Sequence, residues 1–226
     1  MGPKEIAKDI YLVGGADITD SKDCLIYLIN LGELVLIDAG AGSNVEGIVV
    51  NMRKLGLEPE KLSTIILTHC HIDHIGGAKE LKDRFGARLV MHALDADVVE
   101  RGDDRMTAAD WYGIHLAPLP IDEKLTRAEE RIDFSGQQMV CLHTPGHSPG
   151  SMSVYLDRGG KRILFGQDIH GPFLAEFGAN MAHWRESMEK LLALKADILC
   201  EGHFGVFQPK EKVRSYIERY LEEYGE

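Results

Sequence analysis

Cysteine is scarce in this chain, and none of it is paired in sequence. Cys24, Cys70, Cys141 and Cys200 are scattered without CxxC spacing, and three of them sit in apolar, strand-like surroundings. A disulfide framework is therefore not expected, and buried reduced thiols are. Long apolar runs are missing as well. Nothing approaches the roughly 18 residues that a membrane span needs, and the opening MGPKEIAKDIYLVGG has no apolar signal-peptide core. We expect a cytoplasmic protein without a membrane partner. Positive charge is also short, with 25 Lys plus Arg against 36 Asp plus Glu, a net charge of -11 and no basic run. Phosphate-backbone binding needs the opposite balance, so no nucleic-acid partner is expected. Asn and Gln are sparse beside Glu and Lys, which fits a heat-adapted source. No internal repeat or low-complexity tract stands out.

What the chain does contain is core material, 44% hydrophobic over 226 residues, enough for a single domain spanning 1–226. Short β-branched or aromatic runs predict strands at IYLVG, CLIYLIN, ELVLID, STIIL, ARLVMH, QMVCLH, SMSVYL and RILFG. Apolar spacings of three and four predict helices over 45–56, 76–86, 184–196 and 209–225, several of them stopped by glycine. Strands interleaved with helices predict α/β layers. The stretch at about 93–125 breaks the rhythm and is expected to be an insertion, a short helix plus a loop carrying Trp111 and Tyr112.

Histidine is concentrated where the rest is sparse. LTHCHIDHIGG places His69, His71, Asp73 and His74 between a strand and a glycine-started helix, at the strand end where open α/β sheets build their sites. His69 and His71 project to one side of an extended segment, while Cys70 points the other way, into the core. Such a density of imidazole serves metal binding or proton transfer, and a single satisfied core histidine does not account for it. Further donors lie at strand ends. His147 sits in the turn TPGHSPGS, Asp168 follows the strand in RILFGQD, and His203 follows DILCEG.

Taken in order, ID at Asp38, THCHIDH, TPGHSPGS, FGQD and EGHFG resemble the motifs of the metallo-β-lactamase superfamily, from the first strands to Phe207. The resemblance implies a four-layer αββα sandwich with a metal site at one edge of its two sheets. The pattern is most similar to the glyoxalase II type of hydrolase, and TPGHSPGS is shared with persulfide dioxygenases. By matched position, His69, His71 and His147 would hold one metal, Asp73, His74 and His203 a second, and Asp168 would bridge. Asp38 would orient a ligand from behind, or cap the glycine turn that follows it. Familiar β-lactamases carry cysteine at the place of Asp168, so antibiotic hydrolysis is not the expected activity. Glyoxalase II enzymes continue into a helical domain that contacts glutathione, which is not expected in the 23 residues after His203.

These residues predict a metallohydrolase with two divalent ions, zinc by default and iron or manganese as alternatives, because imidazole and carboxylate suit all three. It would cleave a thioester, activated ester or lactone of a small molecule through a metal-bridging hydroxide, with Asp73, Asp168 and Asp38 in the catalytic machinery. The alternative is a mononuclear iron persulfide dioxygenase using His69, His147 and Asp168. A third is a metal-binding protein of the same fold without chemistry. His170, His183, Trp111 and Tyr112 are candidate pocket residues, Phe173, Leu174 and Phe177 a candidate apolar wall, and a homodimer is a candidate assembly.

Overall fold

The computed structural model describes residues 2–224; Gly225, where the last predicted helix was to end, and the rest of the 1–226 span lie outside them. The first sheet is built from β1 (Lys4–Ala7), β2 (Ile10–Gly14), β3 (Ile26–Asn30), β4 (Leu34–Ile37), β5 (Leu62–Ile66), β6 (Arg88–His92) and β7 (Glu123–Leu125), side by side in chain order. Its early strands are antiparallel, and β4 through β7 run parallel. The second contains β8 (Glu129–Phe134), β9 (Gln137–His143), β10 (Met152–Arg158), β11 (Lys161–Gln167), β12 (Ile198–Glu201) and β13 (Val206–Phe207), again in chain order and antiparallel except for the β11–β12 pair.

Helices α1 (Val45–Lys54), α2 (Ile72–Ile75), α3 (Ala78–Phe85), α4 (Ala93–Arg101) and α5 (Ala109–Tyr112) arise between strands of the first sheet, and α6 (Met181–Ala193) and α7 (Lys210–Glu223) flank β12 and β13 of the second. Parallel neighbours need such crossovers, which cover the sheet face. Three separate apolar layers follow. Ile48, Val49, Met52 and Leu81 pack helices on the outer face of the first sheet. Ile29, Val35, Ile66, Val154 and Phe165 fill the space between the sheets. Trp184, Met188, Leu191, Val213 and Ile217 seat α6 and α7 on the second sheet. The order is therefore helix, sheet, sheet, helix, as the sequence led us to expect.

The region 93–125 is more regular than anticipated: α4 packs on β6 and β7, α5 supplies Trp111 and Tyr112, and the segment ends as β7, an edge strand of the first sheet. Strands β1, β7, β8 and β13 were not foreseen because they are short or rich in charge, as edge strands tend to be.

Candidate metal centre

Strands β5, β11 and β12 release the chain at the same end of the sandwich, and the β9–β10 turn joins them there. At the end of β5 the chain turns at once into α2, whose first turn carries Asp73 and His74. This tight path needs glycine: a Cβ on Gly76 would stand 2.2 Å from the Ala41 carbonyl oxygen. Ala39 N–H donates to the His74 carbonyl across the same gap, 2.7 Å.

His69, His71, Asp73, His74, His147 and Asp168 are buried, and His203, with 31% of its side chain exposed, marks the mouth. His71 Nδ1 lies 3.1 Å from His69 Nε2 and 2.8 Å from His147 Nε2. The partners behind these rings decide the protons. His147 Nδ1–H donates to the Pro172 carbonyl at 2.9 Å. His69 Nδ1–H reaches Thr68 Oγ1 at 3.2 Å, and that hydroxyl donates to Asp38 Oδ2 at 2.9 Å. Both Nε2 atoms are thereby left as lone pairs, and one proton on His71 can serve only one of them. Burial also keeps these rings neutral, with His71 pulled down to about 3 and His69 and His147 held below the usual imidazole value. Neutral nitrogens about this far apart suit a tetrahedral ion, whose ligands at 2.0–2.1 Å stand roughly 3.3 Å from one another.

The other half is charged. Asp168 Oδ2 is 3.3 Å from His203 Nε2 and 3.6 Å from His147 Nε2, while its Oδ1 is 3.2 Å from His74 Nε2. Asp73 Oδ2 is 3.3 Å from His203 Nε2 and 3.6 Å from His74 Nε2. Burial opposes charge on His203, but Asp168 and Asp73 outweigh it and raise the ring to about 10. Burial opposes charge on Asp168 too, yet His203 and His74 hold its carboxyl well below the usual range. Asp168 Oδ1 nevertheless has no hydrogen-bond partner among the described residues, because His74 Nε2 is near but off the line of a hydrogen bond. A buried carboxylate oxygen aimed at an imidazole nitrogen without bonding to it fits two ligands of one cation. Four overlapping groups of donors lie close enough to hold an ion among the described residues, Cys24–Asp38–His74, His69–His74–Asp168, His69–His71–His147 and Asp73–His74–His203, and Asp168 stands beside the last two.

Two buried carboxylates that sequence reasoning missed hold these loops in place. Asp95, on α4, accepts from Cys70 N–H at 3.0 Å and Ser148 Oγ at 2.6 Å through Oδ2, and from Gly150 N–H at 2.6 Å through Oδ1. It thus ties the His69–His71 segment to the His147 turn. Glu201 accepts from His203 N–H and Phe204 N–H, each at 2.7 Å, and from His170 Nδ1–H at 2.6 Å. The only sequence signal for Asp95 was an acidic residue on the inward face of a helix.

A cavity of about 390 Å³ opens over the ligands. His170, Trp111, Tyr112 and Phe177 line it, together with Phe204, which had not been singled out. His183 does not: the buried stripe of α6 is Trp184, Ser187, Met188 and Leu191, and His183 is left exposed on the first turn. Phe173 turns inward against Trp184 and Tyr224, and Leu174 is absent from the lining. Cys70 is buried away from the ligands, its thiol donating to the Met106 carbonyl.

An αββα sandwich with clustered imidazoles and carboxylates at its open edge defines a metal-binding protein of the hydrolase type. The chain belongs to the metallo-beta-lactamase superfamily, whose profile matches residues 20–203. It is 25% identical over 215 residues to an acyl-coenzyme A thioesterase, MBLAC2, of Gallus gallus, covering 82% of this chain and 74% of that protein. It is 26% identical over 189 residues to a hydroxyacylglutathione hydrolase of Cereibacter sphaeroides, covering 82% of this chain and 63% of the relative. Among solved structures, the native FEZ-1 metallo-beta-lactamase of Legionella gormanii superposes with a TM-score of 0.82 at 20% identity, over 100% of this chain and 94% of that one. At that identity the likeness concerns the fold. No helix among the described residues is long and apolar enough to cross a membrane.

Proposed function

We propose that the protein is a binuclear metallohydrolase that cleaves a thioester or a related activated ester or lactone. The observation that carries this reading is the position of Asp168, whose carboxylate meets His147 and His203 at Oδ2 and His74 at Oδ1, all within 3.2 to 3.6 Å. His69, His71 and His147 would hold one ion, Asp73, His74 and His203 the other, and Asp168 both. When bound, divalent ions polarise a carbonyl and lower the pKa of water from about 16 toward about 7.

The chain's own groups supply the rest. Asp38 and Pro172 keep His74 Nδ1 and His147 Nδ1 protonated, so that Nε2 of each ring faces the site. Asp73, whose carboxylate lines the cavity, takes a proton from the attacking water and returns it to the leaving group. Trp111, Tyr112 and Phe177 exclude bulk water from the acyl group. The thioesterase and hydroxyacylglutathione hydrolase among the relatives support an acyl-transfer substrate.

The test is elemental analysis of protein purified without added metal, followed by a thioester and lactone panel. Near two zinc, or mixed zinc and iron, per chain is expected, with turnover lost in Asp168→Ala. A single iron per chain with oxygen uptake on a persulfide would overturn the reading in favour of a dioxygenase, and Asp168→Ala with near wild-type turnover would sink it.

A further inference from the structure

Resting on the hydrolase reading of the same cavity, we propose that it selects an uncharged, apolar acyl group on an uncharged leaving group and discriminates against acyl carriers that bear carboxylates or phosphates.

Among the described residues, none that lines the cavity is lysine or arginine. Carboxylates and phosphates are normally gripped by the arginine fork or the lysine ammonium, and neither is present on these walls. Lys22 lies outside the lining, and its Nζ donates to the Tyr112 carbonyl at 2.9 Å. At longer range the chain carries a net charge of -11, which lowers the local concentration of polyanions.

The walls offer apolar contact instead. The Trp111 and Phe177 ring centroids are 5.0 Å apart, and Phe177 is 5.0 Å from His71, so aromatic surface runs from solvent to a ligand imidazole. Phe204 packs on His170 with centroids 4.5 Å apart. Trp111 and Phe204 are left 61% and 60% exposed, the largest exposures among the bulky apolar side chains of the described residues, and both border this cavity. Apolar surface of that kind beside a recess marks a ligand site. The volume of about 390 Å³ lies low in the usual range of roughly 300–1,000 Å³ for ligand pockets, which favours a small acyl group.

One acyl group, phenylacetyl, presented on three thiols to the metal-loaded protein separates the outcomes: uncharged N-acetylcysteamine, glutathione with its carboxylates, and coenzyme A with its phosphates. The expected result is a kcat/KM for the N-acetylcysteamine thioester about tenfold or more above both charged ones, and a loss of about tenfold in Trp111→Ala that is much smaller for the acetyl thioester. The binding readout is tryptophan fluorescence, since Trp111 is exposed and the other tryptophan, Trp184, is buried. Phenylacetamide should change it saturably in the wild type and not in Trp111→Phe, and 4-sulfophenylacetamide should bind at least about tenfold more weakly. A charged thioester preferred tenfold, with the preference falling in about 0.5 M salt or in Lys22→Gln, overturns the proposal. If no thioester is cleaved, the hydrolase reading fails by itself. In that event saturable, Trp111-dependent phenylacetamide binding upholds the selectivity, and its absence overturns it.

Discussion

Asp38 Oδ2 lies 2.8 Å from His74 Nδ1 and accepts its proton, so a carboxylate at the end of β4 decides which nitrogen of a candidate ligand on α2 faces the site. The same carboxylate accepts from Thr68 N–H at 2.8 Å and from the Thr68 hydroxyl, and through that hydroxyl it reaches His69. Both candidate ligand groups are thereby coupled to one residue. Asp38 itself adopts a positive φ of 61°, a conformation that aspartate tolerates better than most residues.

Asp38→Asn should expose that coupling. The amide can accept from Thr68 with its oxygen, but its NH2 then faces His74 Nδ1 and reverses the tautomer, turning a proton toward the ion. Loss of such a partner typically costs about 10- to 100-fold in metal affinity. The weaker of two sequential metal dissociation constants, read by competition with a chelator, should rise by that factor. Two unchanged constants would show that Asp38 has no part in ligand orientation.

The candidate ligands were legible in sequence because they sit in short segments that follow strands, Asp168 and His203 directly after β11 and β12, and His69 to His74 and His147 in the turns after β5 and β9. THCHIDH, TPGHSPGS, FGQD and EGHFG hold their chemistry in contiguous text. Asp95 and Glu201 were not legible, because their function depends on which loops come to meet them. Asp95 looks like an ordinary helix residue until Cys70 and Gly150 N–H are seen pointing at it. Strand β8 was hidden by its alternation: in EERIDF only Ile132 and Phe134 face the core, and the outward residues are charged. His183 failed for the opposite reason, since proximity to Trp184 in sequence is not proximity in space when the neighbours point to different sides of a helix.

Asp95→Asn should loosen the joint between the two ligand loops. The carboxylate accepts backbone protons at both oxygens, and an amide can accept at only one, which leaves a buried N–H facing an NH2. An unpaired buried donor costs about 1–3 kcal/mol. For a chain of this size each kcal/mol lowers Tm by roughly 2–4 °C. A measurable fall in Tm by calorimetry, together with weaker metal binding, is expected. An unchanged Tm with unchanged metal affinity would show that the loops hold their positions independently.

Gly202→Ala isolates the position of Asp168. A Cβ there would stand 2.3 Å from Asp168 Oδ1, so the carboxylate or the loop must move. Gly202 is not among the glycines with positive φ, so alanine meets no φ strain, and its other close contacts, 3.2 and 3.3 Å to the Gln167 carbonyl carbon and oxygen, fall on the residue next to Asp168. The variant should fold with nearly wild-type thermal stability but bind less metal and lose turnover by about tenfold or more, since misplacement by about 1 Å can cost 100-fold. Full metal loading at wild-type turnover would mean that Asp168 is not held where its distances to His74, His147 and His203 place it.

Acid sensitivity should trace partly to a histidine outside the centre. His92, at the end of β6, stacks on His143 with ring centroids 3.8 Å apart and planes 7° from parallel, and its Nδ1 accepts from Leu94 N–H. Burial, reinforced by His143, lowers its pKa from 6.5 to about 4. The unfolded chain therefore binds a proton that the folded one refuses. This contribution to stability is fully present above about pH 6.5 and is lost progressively as the pH falls toward 4. In His92→Asn the side-chain oxygen can still cap Leu94 N–H, but the titrating group is gone. Thermal midpoints of metal-stripped wild type and variant should converge, or cross, as the pH is lowered from 7 to about 4.5, because the wild type alone carries this proton debt. Parallel curves over that range would rule out His92 as a source of acid lability.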